Sequence, residues 1–140
     1  MSLSEPARVF AEARRVAHLA TADADGAPHV VPLCYALEGD RFYFVVDEKP
    51  KATKKLKRLR NLLENPRAAI VIDDYDDGWQ RLAYLLVQGR ASLVSDTDEY
   101  ERVVALLRRR YAAYAAMPLS MDINPMVRVQ VEREHLWRIA

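Results

Sequence analysis

The stretch VAHLATADADGAPHVVPLCYAL, residues 16 to 37, limits the fold more than any other part of the chain. It holds two β-rich runs joined at Asp25-Gly26, a dipeptide that tolerates the positive φ angles of a tight hairpin turn. The second run sets His29, Val31, Leu33, Tyr35 and Leu37 against Val30, Pro32, Cys34 and Ala36. Both sides are mostly apolar, so burial of both faces is expected. That suits a barrel or a subunit interface better than a one-sided sheet. Pro32 cannot donate a ladder hydrogen bond, so it marks an edge or a bulge. Backbone groups freed there are available to a ligand.

The rest of the chain continues the pattern. EGD makes the next turn and RFYFVV a third strand; RAAIVID reads as a fourth and RLAYLLVQGRASLV as a long fifth, with DYDDGWQ turning between them. MVRVQVEREHLWRIA reads as a closing strand pair. Helices interrupt this order. EPARVFAEARR places Pro6 at a first helical position, followed by Val9, Phe10, Ala13 and Val16 at helical spacing. SDTDEYERVVALLRRRYAAYAA aligns Tyr100, Val103, Leu107, Tyr111 and Tyr114 on one face. It opens acidic and ends with Arg108, Arg109 and Arg110, matching the helix dipole, and Pro118 stops it. No repeat or long linker divides the chain. A single domain over residues 1–140 is expected: a mainly β (α+β) fold built as a small antiparallel barrel with two to three peripheral helices.

Composition narrows the function classes. Hydrophobic residues make up 51% and charged residues 29%, which excludes a disordered chain. The lone Cys34 allows no internal disulfide and fits a reducing compartment. Charges interrupt the N-terminal apolar residues, so neither a signal peptide nor a membrane span is expected, and the cytoplasm is the expected location.

Charge is unevenly placed. KPKATKKLKRLRN, residues 49 to 61, holds seven of the 21 lysines and arginines, although the net charge is only +1. On a helical wheel over residues 52–64, Leu56, Leu59, Leu62 and Leu63 share one arc and Lys54, Lys57, Arg58 and Asn61 the opposite one. Lys49 and Lys51 lie just upstream, and the helix start offers unpaired N–H groups to an anion. A solvated helix face accounts for this pattern about as well as a binding site does. A nucleic-acid surface would add net positive charge and interleaved aromatics. No aromatic lies between Val45 and Ile72. A compact phosphate-bearing ligand therefore outranks a polymer.

Other candidates carry less. Tyr75 breaks the alternation a calcium loop would need in Asp73–Gly78, and His18, His29 and His135 lack metal-ligand spacing. Cys34 reads as a core thiol. Trp79 would either pack over the barrel or stack on a planar ligand. No nucleophile with a partnered base, phosphate-binding Walker loop or dinucleotide fingerprint is present.

Taken together, HLATADADGAPHVVPLCYALEGDRFYFVVDEKPK and LKRLRNLLENPRAAIVIDDYDDGW resemble the pyridoxamine 5'-phosphate oxidase-like split β-barrel superfamily, within it the branch using the deazaflavin coenzyme F420. The resemblance runs over nearly the whole chain, and the DEKPK, LKRLRN and NPR combination is its most specific part. It implies a homodimer of the FMN-binding split-barrel type, with flavin or F420 in a cleft between subunits. Val31 and Pro32 would then present backbone groups to the cofactor ring. Lys57 and Arg58 would hold phosphate, and Lys49 and Lys51 would assist with phosphate or an acidic tail. Trp79 and the LVQG strand would approach from the next layer or the partner subunit. Two departures matter. PHVVPLCY lacks the arginine with which vitamin B6 oxidases grip flavin phosphate, and WRIA replaces their Arg-Leu-x-Pro ending.

The expected activity is hydride transfer from reduced F420 to a planar, electron-poor small molecule of quinone, tetrapyrrole or nitroaromatic type. The cofactor would carry the chemistry, so no catalytic side chain is named. An FMN-dependent oxidase or reductase of the same fold, and a non-catalytic flavin- or deazaflavin-binding protein, are the alternatives.

Overall fold

The computed structural model describes residues 3–47 and 57–139, the side chains of Lys57 and Arg58 excepted. Helix α1 (Glu5–Glu12) begins where Ser4 Oγ accepts the Ala7 N–H at 3.3 Å, with Pro6 in the first turn, where its missing N–H costs nothing. Strands β1 (Ala17–Ala22) and β2 (Pro28–Leu33) form the expected hairpin, with Gly26 at φ 85°. Then follow β3 (Ala36–Glu38), β4 (Arg41–Val45), α2 (Lys57–Glu64), β5 (Arg67–Asp74) and β6 (Ala83–Leu93). Helices α3 (Thr97–Arg110) and α4 (Ala112–Ala115) precede the last strand, β7 (Met126–Arg138).

The seven strands among the described residues pair antiparallel in the order β2-β1-β5-β6-β7-β4-β3. The two edges, β2 and β3, are consecutive in sequence with only Cys34 and Tyr35 between them. Three Cα–Cα steps of 3.8 Å span at most about 11 Å, so the sheet must curl until its edges nearly meet. It is a barrel split along one seam, closed there by the covalent chain rather than by a ladder. This corrects the continuous second strand expected through Leu37. The chain leaves one edge at Leu33 and joins the other at Ala36.

The end of α3 seals the seam. Tyr35 is 1% exposed, and its N–H donates to Tyr111 Oη at 3.1 Å. Arg110 donates to the carbonyls of Tyr35, Glu12 and Arg14 at 3.0, 3.0 and 2.6 Å, tying the seam to the end of α1. Tyr111 is extended, at φ −126° and ψ 116°, which splits the single expected helix into α3 and α4.

The barrel interior is filled by Leu19, Phe42, Phe44, Ile70, Ile72, Leu85, Val87, Val127 and Val129, and Phe10 of α1 and Leu62 of α2 pack against them. A second core lies on the other face of β4, where Tyr43 and Val45 meet Tyr100, Val103, Val104 and Leu107 of α3. The closing segment is one 13-residue strand, not a pair. Gln88 opposes Arg133 and Gly89 opposes Val131, so Glu132 is an extra residue forming a bulge. The bulge supplies the bend that a turn was expected to make.

Candidate functional site

Helix α2 lies against β1 and β2, with Leu62 buried beneath it. Its rotation differs from the wheel. Asn61, expected among the outward cations, is 1% exposed and donates through Nδ2 to Thr21 Oγ1 at 3.1 Å. Leu63, expected inside, is 61% exposed. The cause is a polar notch on the inner face of the β1–β2 hairpin. Thr21 stands directly opposite His29 there, and a buried threonine hydroxyl needs a partner. His29 Nδ1 is also buried and has no hydrogen-bond partner among the described residues.

Val31 and Pro32 sit in β2, an edge strand among the described residues, as Pro32 requires. The outward half of the β2 backbone groups therefore has no strand partner. Pro28, Val30 and Pro32 are exposed, so the expected burial of both faces does not occur within one chain. Next to them on the outer sheet surface, His18, Val71 and Leu86 are only half-buried, and Trp137 is 40% exposed.

Arginines gather at one end of the barrel. The end reached by α2 also carries Arg67 and Arg90, opposite each other on β5 and β6, and Arg133 on β7. The far end of the β5–β6 hairpin carries Asp73, Asp74, Asp76 and Asp77. Trp79 belongs to that acidic end. It is 61% exposed, at φ 57°, with its N–H donating to the Asp76 carbonyl at 2.8 Å. Seven strand steps of ~3.4 Å put it roughly 24 Å along the hairpin from the α2 end. Within one chain α2 packs against β1 and β2, and Trp79 stands at the other end of the β5–β6 hairpin. Lys49 and Lys51 lie outside the described residues, as do the side chains of Lys57 and Arg58; the backbone of that pair opens α2.

Titratable groups near the seam are structural. Burial first, then the hydrogen bond to Asp47 Oδ2 at 2.6 Å, pushes the Tyr114 hydroxyl far up. Burial also pushes Tyr35 up to about 12. Cys34 is half-buried, and burial raises its thiol, which makes it a poor nucleophile. The Tyr face of α3 is core packing: Tyr100 donates to the Asn124 carbonyl at 2.7 Å. Sequence reading missed the seam contacts of Arg110 and Tyr111, because nothing local marks residues about 75 positions apart as neighbours.

Residues 3–139 match the family model described as pyridoxamine 5'-phosphate oxidase. The chain belongs to that family. A FAD-binding protein from Mesorhizobium loti is 23% identical, with 100% of this chain and 98% of that one covered and a TM-score of 0.74. HutZ, the haem storage protein of Vibrio cholerae, is 22% identical over 99% and 95%, at a TM-score of 0.74. A structure named F420 reductase is 26% identical over 95% and 98%, at a TM-score of 0.65. No curated protein matches the chain. The expected antiparallel split barrel with peripheral helices is therefore the fold of this family member. Among the described residues, no helix is long and apolar enough to cross a membrane.

Proposed function

We propose that this family member is an F420-dependent oxidoreductase, a single-domain cytoplasmic enzyme acting as a homodimer. The observation that carries the reading is the meeting of an open strand edge, β2, with the cationic end of the barrel, where α2 docks through Asn61 and Thr21. The site fits such a cofactor. A flat ring can lie along the free edge of β2, and His29 Nδ1 nearby is buried polar capacity that none of the described residues uses. Bound F420 would supply the hydride.

The chain's own residues bind and orient. Val31 and Pro32 offer backbone groups to the ring, and Lys57 and Arg58 hold phosphate. Lys49 and Lys51 extend the cationic approach toward an acidic tail. A second copy covers the exposed Val30 and Trp137 and brings its own Trp79 within reach of the cleft, which excludes water from the ring. Rate then comes from holding donor and acceptor in near-attack geometry. A planar quinone, tetrapyrrole or nitroaromatic suits a slot between two apolar surfaces. The F420 reductase at 26% identity supports the cofactor assignment, and the missing arginine in β2 weighs against FMN.

The absorption spectrum of the purified protein, followed by cofactor titration, tests this. The expected result is colourless protein that quenches F420 fluorescence and transfers hydride to a test quinone. A bound flavin spectrum would favour the FMN enzyme, a Soret band a haem protein, and F420 binding without turnover a carrier. In Lys57→Ala/Arg58→Ala, F420 affinity should fall by roughly 1.5–3 kcal/mol for each charge-assisted bond lost, with the melting temperature unchanged. Unaltered affinity would remove the basic pair from the site.

A further inference from the structure

The three arginines at the α2 end of the barrel also line a feature of their own, on the outer sheet surface. An open trough of about 570 Å³ is floored by Ala20, Ala69 and Gly89 and rimmed by Arg67, Arg90 and Arg133. Its volume lies in the range of small-ligand sites, roughly 300–1,000 Å³. We propose that it binds a small phosphate- or carboxylate-bearing anion.

The sheet register supports this. Arg67 and Arg90 are Cα partners, so their side chains leave the same face of adjacent strands. Like charges directly opposite each other destabilise a sheet pair. Arg133, opposite Gln88, stands on that same surface and follows the bulged Glu132. Bulges re-aim side chains and recur beside binding sites.

Compensation inside the chain is incomplete. Glu132 reaches Arg90 at 3.6 Å, with both side chains more than half exposed, a pair of little worth. Among the described residues, the guanidiniums of Arg67 and Arg133 have no acidic partner. Three other arginines do have close carboxylate partners, Arg14 with Asp74, Arg102 with Glu38 and Arg128 with Glu99. Three guanidiniums against one carboxylate leave an excess of two positive charges over a floor without bulky side chains. An anion seated there would relieve the Arg67–Arg90 repulsion and could take bidentate hydrogen bonds.

The anion can come from two sources, a free metabolite or the acidic tail of the cofactor. The second rests on the F420 reading above; the first does not. Isothermal titration at low ionic strength with inorganic phosphate and with citrate, on wild type and on Arg67→Gln/Arg133→Gln, tests the site. Wild type should bind at least one of the two, and the variant should bind roughly tenfold or more weakly for each guanidinium removed, with its melting temperature kept. If instead the variant loses affinity for F420 but not for the deazaflavin lacking phosphate and tail, the trough takes the tail. No binding of phosphate, citrate or tail, or equal binding by the variant, overturns the proposal. So does a dimer that falls apart in the variant while anion affinity holds, since the arginines would then face a second copy.

Discussion

Gly89→Ala is expected to destabilise the protein by about 3 kcal/mol, the upper end for overpacking a close-fitted site. Gly89 lies at the bulge, opposite Val131. A Cβ there would sit 2.0 Å from the Gln130 carbonyl oxygen, 2.9 Å from its carbon and 3.2 Å from Val131 Cα. All three are backbone atoms, so no rotamer change relieves the clash and β6 and β7 must part. For a domain of this size, that loss should lower the melting temperature by roughly 10 °C. Gln88→Ala, one residue away and exposed, serves as the control and should melt within about 2 °C of wild type. Destabilisation by Gly89→Ala of under about 1 kcal/mol would mean that the bulge opens freely. It would then be a soft joint instead of a fixed bend.

Gly89 also shows how far the sequence could be read. The LVQGRASLV run is visibly a strand, and a lone glycine inside it hints at a bulge or a close backbone approach. The partner that makes glycine necessary, Gln130, is 41 residues away and leaves no local trace. The same divide recurs elsewhere. The Asp25-Gly26 turn, the edge position of Pro32 and the buried face of Tyr100, Val103 and Leu107 on α3 depend on neighbouring residues, and each was legible. The break at Cys34–Tyr35 was not, because alternation runs through it unbroken and only the far sheet edge decides where β2 ends. Asn61 and Leu63 exchanged their expected environments for a similar reason. A wheel ranks residues by polarity, but the surface α2 meets contains Thr21, and one buried hydroxyl reverses the preference for an apolar neighbour. In the candidate site, cation density and the edge strand could be read early. The separation of Trp79 from α2 could not, because it depends on how long the β5–β6 hairpin is and which end α2 covers.

The second large effect concerns Glu99. It sits in the first turn of α3, where the helix dipole favours an anion, and it is 7% exposed. Arg128 Nη1 lies 2.6 Å from both of its carboxylate oxygens, the Tyr43 hydroxyl donates to Oε2 at 2.6 Å, and Arg41 stands at 3.8 Å. This carboxylate links α3 to β4 and β7, so it holds the second core onto the barrel. Glu99→Gln keeps the shape and removes the charge. It leaves the Arg128 guanidinium, 25% exposed, without its counter-ion, and stability should fall by about 3 kcal/mol at neutral pH.

The pH dependence separates charge from packing. The hydrogen bond from Arg128, partly opposed by burial, holds the Glu99 carboxyl below its ordinary 4.5. A depressed folded-state value means that the unfolded chain binds the proton first as pH falls. The stabilisation is therefore complete above about pH 4.5 and is lost as pH drops through the lower folded value. Asp74, held down by Arg14, and Glu38, held down by Arg102, add to the same acid limb in wild type and variant alike. Urea unfolding of both proteins at about pH 7 and about pH 3 should thus show a wide gap that narrows with acid. A gap equally wide at both pH values would assign the loss to side-chain fit and leave the ion pair with no net share in holding α3 to the barrel.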